Sequence, residues 1–154
     1  MEKTLVILKP SCVQKALIGE VISRFEKKGL QLIGMKMMQL DDDILNVHYA
    51  HLKDEPFFDC LKQSMKATPV VVQCWQGYDA ALVVRKMIGV TNGREAEAGT
   101  VRGDYSLSSQ QNIVHASDST ASAEEELKRF FKKEEIFDYN QTNAPFLYSK
   151  EELL

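Results

Sequence analysis

The N-terminal apolar run, Thr4-Leu-Val-Ile-Leu-Lys9, constrains the fold of this chain more than any other segment. The run is nearly continuous, and Pro10 ends it. A strand with one face in water alternates apolar and polar residues, so an unbroken run indicates a central strand that is buried on both faces. We therefore expect residues 4–9 to lie in the middle of a sheet.

The rest of the chain alternates helical and strand patterns. Apolar residues at helical spacing predict helices over 18–28, 57–65 (with Pro56 at its start) and 81–88. A further helix is expected to begin in the run Asp41-Asp42-Asp43, and a last one at a capping box formed by Ser122 to Glu125. Strands are predicted at 30–40, 70–75 and 112–115. Residues 90–112 are predicted to form a long polar loop, which in a compact domain is usually functional or disordered.

This order of elements is compatible with βαββαβ, a four-stranded antiparallel sheet with helices packed on it. A doubly wound parallel sheet competes with it, and periodicity alone does not separate the two. The length of 154 residues suits one domain spanning 1–154.

Composition excludes several classes of protein. The net charge of −3 argues against binding nucleic acid through overall charge, although a local basic pocket remains open. Three cysteines fit neither a zinc site nor a CxxC motif, and they indicate reduced thiols in a cytoplasmic protein. No apolar run approaches the roughly 18 residues of a membrane span, and we expect no signal peptide.

Among the three histidines, His115 has the most suggestive surroundings. It ends an apolar strand and precedes a small polar turn, with Ser117 and Glu126 available to anchor its ring. An imidazole with one anchored nitrogen and one unprotonated nitrogen can act as a nucleophile. His48 and His51 lack further ligands nearby and make a poor metal site, so we expect them at the surface.

Phosphate binding, if present, depends on side chains, because the chain has neither a GxxxxGK loop nor a GxGxxG motif. Lys9 is the best candidate, since an apolar strand rarely ends in an unpaired lysine. Arg85 and Arg102 can each hold phosphate oxygens with two N–H groups. Taken singly, each of these cations is as readily explained by a solvated charge or a salt bridge.

Five ordered blocks resemble the nucleoside diphosphate kinase family along nearly the whole chain. The blocks are TLVILKP at 4–10, HYAHLKDEPFF at 48–58, RKMIGVTN at 85–92, GTVRGDY at 99–105 and NIVHASDS at 112–119. The last is the most specific, because the family carries a similar block around its phosphorylated histidine. The resemblance implies a ferredoxin-like α+β fold, a homo-oligomer (hexamer favoured over tetramer) and Mg²⁺-dependent exchange of γ-phosphate between nucleoside di- and triphosphates.

The resemblance also implies roles for individual residues. It makes His115 the nucleophile, supported by Glu126, while Phe57 stacks on the base. Residues that match the family's phosphate and sugar contacts are Lys9, Tyr49, Arg85, Thr91, Arg102 and Asn112. Stacking tolerates any base, because every base has a π-face. Mg²⁺ is expected to be held mainly by nucleotide phosphates, with Asp118 as a candidate for a water-mediated contact.

The chain departs from the family pattern at several places. Ser11-Cys12 replaces Asp-Gly, Ala116 replaces the glycine after the histidine, and a more polar stretch occupies 108–111. Gly93 and Ala98 replace loop prolines, from which we expect a softer loop, lower oligomer stability and a stabilising effect of Gly93→Pro.

Two other functions remain open from the sequence. A non-catalytic nucleotide sensor would be expected to lose the nucleophile or a phosphate clamp, yet His115, Lys9, Arg85 and Arg102 are all present. A phosphohistidine carrier without nucleotide specificity is disfavoured weakly by Phe57 and Asn112. An RNA-binding role on this fold would call for exposed sheet aromatics and a basic excess, and the sequence has neither.

Overall fold

The first strand lies inside a sheet, with a neighbour on each side and helices over each face. The structure is a computed structural model that describes residues 1–154. Leu5 to Leu8 are fully buried, as the apolar run predicts. The strands are β1 (Glu2–Leu8), β2 (Gln31–Met38), β3 (Val70–Gly77) and β4 (Val114–Ala116).

The sheet has the order β2-β3-β1-β4, and each neighbouring pair is antiparallel. This pairing excludes the doubly wound parallel sheet and gives the ferredoxin-like α+β arrangement. The helices are α1 (Pro10–Gln14), α2 (Ile18–Lys28), α3 (Asp42–His48), α4 (Phe58–Lys66), α5 (Ala80–Ile88), α6 (Val101–Tyr105) and α7 (Thr120–Phe130). None of them combines the length and the apolar composition that crossing a membrane requires.

The sheet separates two hydrophobic clusters, because successive side chains of a strand point to opposite faces. Val6 and Leu8 belong to one cluster, which includes Trp75 and residues of α2 and α5. Leu5 and Ile7 belong to the other, which includes residues of α4 and α7. Helices therefore cover the two faces, and the ends of β1 and β4 open onto the space between α3, α5 and α7.

Several element boundaries differ from the sequence prediction. The prediction that a capping box at Ser122 begins the last helix was wrong. Helix α7 is capped one turn earlier, where the Ser119 hydroxyl accepts a hydrogen bond from the Ser122 N–H at 3.1 Å. Pro56 precedes α4 rather than opening it, since Phe57 is the N-cap. Asp41 does cap α3, accepting from the Ile44 N–H at 2.9 Å.

The polar loop contains a helix that the sequence analysis missed. Thr100 caps α6 by accepting a hydrogen bond from the Gly103 N–H at 3.0 Å. Gly93 in the same loop leaves no room for a side chain, because a Cβ there would lie 2.3 Å from the Ser106 carbonyl oxygen. Its N–H also donates to the Ser108 carbonyl at 3.2 Å, a bond that proline would remove. This geometry argues against the expected stabilisation by Gly93→Pro.

Candidate active site

One pocket of about 670 Å³ gathers nearly all of the residues assigned from the sequence. Its walls come from the end of β1, from β4, from α5 to α7 and from the segment around α3 and α4. The assigned residues that line it are Lys9, Tyr49, Phe57, Arg85, Thr91, Arg102, Asn112, His115 and Glu126. Ser117, the remaining one, is fully buried beside Glu126. The volume is typical of a small-molecule site.

His115 lies in β4 opposite Ile7, and its ring is anchored at one nitrogen. Its Nε2 lies 3.1 Å from Oε2 of Glu126, and the Ser117 hydroxyl donates to the same carboxylate oxygen at 2.8 Å. An ionised carboxylate only accepts hydrogen bonds, so the bonded Nε2 carries the proton. The lone pair of the neutral ring is then on Nδ1, which makes no hydrogen bond within the protein.

Glu126 is held in its charged form. Burial by itself raises the pKa of this carboxyl group, but the hydrogen bonds from His115 and Ser117 and the charge of Arg129 outweigh it and bring the pKa below its usual range. The side chain is 14% exposed. A fixed carboxylate is what keeps the His115 ring in one orientation and one tautomer.

A strained backbone residue lies two positions before His115. Ile113 has a φ of 74°, in the left-handed region that β-branched residues rarely adopt, at a cost of about 1–3 kcal/mol. Its N–H donates to the Ser11 hydroxyl at 3.1 Å, and its carbonyl accepts from the Lys9 N–H at 2.9 Å. Ser11, a departure from the family pattern, thus supports the turn that leads into β4.

Lys9 points its ammonium group into the buried end of the pocket. Nζ donates to Oδ1 of Asn112 at 2.7 Å, and the Asn112 amide donates to the carbonyls of Thr91 at 2.9 Å and Ser109 at 2.8 Å. Burial, with a smaller contribution from the charge of Arg102, lowers the pKa of Lys9 from 10.5 to about 7. No carboxylate pairs with Lys9, so this buried lysine has no counter-ion within the protein.

Arg102 is nearly inaccessible and is held by the backbone. Its guanidinium donates to the carbonyls of Asn112 at 3.2 Å, Gly89 at 3.0 Å and Val114 at 2.6 Å. Burial and the charge of Arg85 lower its pKa to about 10. A guanidinium has five N–H groups, so two remain for a ligand. Arg102 is thus fixed in place before any ligand binds.

The outer part of the pocket combines an aromatic wall with polar groups. Phe57, the N-cap residue of α4, is 46% exposed and lines the pocket. Ser109 and Gln110 also line it, and their side chains make no hydrogen bond within the protein. A planar ligand group can therefore stack on Phe57 while its edges reach polar atoms.

His48 was expected at the surface, and that prediction was wrong. It is 5% exposed, and its ring meets that of His115 edge to face at 4.6 Å between centroids. The signal was in the sequence, because Leu45, His48, Tyr49 and Leu52 follow the i, i+3, i+4, i+7 spacing of a buried helical face. Burial and the neighbouring cations lower the pKa of His48 to about 2, so the ring is neutral.

The side chains of His48, His115 and Glu126 come within 4.8 Å of one another but do not form an open metal centre. Nδ1 of His48 accepts from Arg129, and Nε2 of His115 is bonded to Glu126. Asp118 also lines the pocket, and hydrogen bonding by Ser122 lowers the pKa of its carboxyl group. Of the two carboxylates that line the pocket, Glu126 is bonded to His115 and Asp118 is not.

Comparison with known proteins agrees with this geometry. The family model described as nucleoside diphosphate kinase matches residues 2–136. A nucleoside diphosphate kinase of Parabacteroides distasonis is 62% identical over 152 residues, covering 99% of each chain. One from Pyrococcus horikoshii is 48% identical, covering 97% of this chain and 96% of its own.

Solved structures agree as well. A halophilic nucleoside diphosphate kinase from Halobacterium salinarum, in complex with CDP, superposes with a TM-score of 0.94 at 38% identity, covering 96% of this chain and 98% of its own. The apo enzyme from Encephalitozoon cuniculi gives 0.93 at 36% identity, covering 96% and 100%. With its antiparallel sheet and its anchored histidine facing a cationic pocket, the chain belongs to the nucleoside diphosphate kinase family.

Proposed function

We propose that His115 is the nucleophile of this nucleoside diphosphate kinase and that the γ-phosphoryl group passes through it in two steps. Nδ1 attacks the γ-phosphorus of a nucleoside triphosphate, a P–N bond forms, and the bond to the bridging oxygen breaks with its electron pair leaving on the diphosphate. A second diphosphate then takes the group from Nδ1 by the reverse reaction. The observation that carries this proposal is the 3.1 Å bond from His115 Nε2 to Glu126, which leaves the Nδ1 lone pair unused.

The cationic side chains of the pocket are proposed to neutralise negative charge on the nucleotide phosphates. Phosphoryl transfer depends mainly on positioning and on electrostatic stabilisation of the transferred oxygens and the leaving oxygen. Lys9, Arg85 and Arg102 supply up to three positive charges at the inner end of the pocket, next to His115. Because Arg102 is already fixed by three carbonyls, its charge needs little reorganisation when the substrate arrives.

The remaining assigned residues are proposed to hold the nucleoside. Phe57 stacks on the base, which gives broad tolerance of different bases. Asn112, whose amide bridges Lys9 and the Thr91 carbonyl, is proposed to contact the sugar together with Lys9. Tyr49 and Thr91 are proposed to contact the phosphates. Burial, followed by the charge of Glu126, raises the pKa of Tyr49, so its hydroxyl remains a donor.

We propose Mg²⁺ as the divalent metal of the reaction. The donor set fits a loosely held ion, because Mg²⁺ takes oxygen ligands and keeps several waters. Asp118 lines the pocket and offers a carboxylate oxygen, and the nucleotide phosphates would supply most of the direct ligands. When bound, Mg²⁺ neutralises charge on the phosphate oxygens, while Asp118 would orient one of its waters.

Residues 1–154 are proposed to act as one catalytic domain that assembles into a homo-oligomer, a hexamer rather than a tetramer. The open edge of β2 and several exposed apolar side chains, including Met35 and Met37, support assembly. The three cysteines are free thiols, which supports a cytoplasmic location.

The first test is phosphorylation of the protein with γ-labelled ATP, followed by intact mass, acid lability and a chase with unlabelled GDP. We expect one acid-labile phosphoryl group on His115 that moves to GDP. His115→Ala should lose both the label and the exchange activity with its circular dichroism spectrum unchanged, whereas His51→Gln should still accept the label. Normal turnover by His115→Ala would refute the nucleophile assignment, and a folded, nucleotide-binding wild type that takes no label would favour a sensor.

A further inference from the structure

Arg129 contacts the histidine that packs against the nucleophile. It lies three residues after Glu126 on α7, and its Nη1 is 3.1 Å from Nδ1 of His48. His48 in turn meets His115 edge to face at 4.6 Å and Phe130 at 5.1 Å between ring centroids. One face of α7 therefore supports the active site twice, directly through Glu126 and indirectly through Arg129 and His48.

This contact fixes the tautomer of His48. A guanidinium can only donate hydrogen bonds, so Nδ1 of His48 must carry the lone pair and Nε2 the proton. Nε2 is buried and has no hydrogen-bond partner in the protein. A buried, unpaired donor is costly, and its presence beside a reacting group calls for a functional explanation. In this tautomer, His48 presents a neutral ring that does not compete for the hydrogen bond between His115 and Glu126.

We propose that Arg129 is a positioning residue for phosphoryl transfer: through Nδ1 of His48, it holds that neutral ring edge-on to His115, so that Glu126 keeps its hydrogen bonds from His115 and Ser117. The proposal rests on the proposed function, in which His115 is the nucleophile. Without the guanidinium, Nδ1 of His48 loses its donor and the neutral ring is free to turn. A ring nitrogen of His48 lies within 4.8 Å of the Glu126 carboxylate, so a ring that turns competes with His115 for that acceptor.

The surroundings of His48 keep its ring neutral with or without Arg129. Burial, which is the largest effect, and the charges of His115, Arg129, His51 and Lys9 all lower the pKa of His48. Removing Arg129 leaves burial and the other charges in place, so the ring loses the hydrogen bond to Nδ1 and stays uncharged. The expected effect is therefore a loss of tautomer and orientation at His48, which lowers the rate without moving the pH profile.

The test compares wild type and Arg129→Met in the rate of phosphoenzyme formation at saturating ATP, in the Kd for ADP and in the nitrogen-15 signals of His48. We expect Arg129→Met to form the phosphoenzyme about tenfold more slowly at pH 7 with the Kd for ADP unchanged, and we expect its His48 ring to lose the single tautomer with the proton on Nε2. Arg129→Lys, which keeps a donor at this position, should recover most of the rate. Lys128→Met is the matched control, because it removes the same charge from the neighbouring residue, whose side chain is 73% exposed and faces Glu125.

A general loosening of the fold would weaken the binding of ADP as much as it slows the reaction. An unchanged rate or an unchanged His48 tautomer in Arg129→Met, or an equal loss of rate in Lys128→Met, overturns the proposal. Should Arg129→Met not fold, the tautomer of His48 in nitrogen-15 spectra of the wild type decides, since a proton on Nδ1 is incompatible with the proposal. Failure of the wild type to form any phosphoenzyme would instead refute the proposed function.

Discussion

Lys9 is a lysine buried without a counter-ion, and its charge should therefore depend on what the pocket holds. Its pKa is about 7, and burial is the main cause. A bound diphosphate brings negative charge next to Nζ and raises that pKa toward the ordinary value of lysine. Above pH 7, binding a nucleotide should then be coupled to the uptake of a proton.

We predict that binding of ADP at pH 8 is coupled to proton uptake by Lys9, and that this contribution of Lys9 is smaller at pH 6, where Lys9 is already largely charged. Isothermal titration calorimetry in buffers of different ionisation enthalpy gives the number of protons directly. Lys9→Met, which keeps the length of the side chain, should show no uptake at pH 8. Equal uptake by wild type and Lys9→Met would contradict the prediction.

At the level of single residues, the sequence predicted which side chains line the pocket but not which hydrogen bonds fix each of them. His115, Lys9 and Arg102 carry their chemistry in their residue type and in a family pattern. Arg129 had no such signal, because its contact with His48 joins α7 to α3, which are far apart in the chain. Local spacing does not report contacts between residues so far apart.

One arginine of α2, Arg24, makes most of the polar contacts between that helix and the segment that contains α6. Arg24 donates to Asp104 at 2.7 Å, to the Gly99 carbonyl at 3.0 Å, to Tyr105 at 3.1 Å and to Glu20 at 3.0 Å. Arg102 lies on α6, so this arginine fixes the element that presents a phosphate-binding group. A helix of five residues has few internal hydrogen bonds and depends on such contacts.

We predict that Arg24→Leu lowers the free energy of unfolding by about 2 kcal/mol and raises KM for nucleotides, because α6 and Arg102 become less fixed. Denaturant titration, steady-state kinetics and hydrogen exchange of residues 99–105 measure these effects. Lys27→Leu, an exposed cation in the last turn of the same helix, serves as control. Exchange at 99–105 as slow as in the wild type would show that Arg24 does not restrain α6.

Elements with strong internal patterns were predicted well, and those defined by tertiary contacts were not. Helix α2 has the predicted bounds because its apolar spacing and Gly29 at its end agree. Helices α1 and α6 are five residues long and were missed, since one turn gives no periodicity. The start of α7 was misplaced because Ser119 and Ser122 are both good caps, and the choice between them depends on the turn after β4.

At the scale of the whole molecule, the sheet leaves part of one edge open. Strand β2 is an edge strand, and the chain after α7 covers its beginning, where the Phe137 N–H donates to the Ile33 carbonyl at 2.8 Å. Further along, Met35 and Met37 are 52% and 58% exposed. Edge strands with exposed apolar residues invite pairing with another chain unless charges or coverage prevent it.

The proposed homo-oligomer gives this edge a partner in a second copy of the chain. We predict that Met35→Lys with Met37→Lys lowers the molar mass measured by light scattering, because two added cations on each copy repel across a shared edge. Val47→Lys, at another exposed apolar position on α3, should keep the wild-type mass. A double variant of wild-type mass would place the interface elsewhere, whereas a monomeric wild type would contradict assembly itself. Since the pocket lies within one chain, the double variant should still take one phosphoryl group on His115, which separates the assembly of the protein from its chemistry.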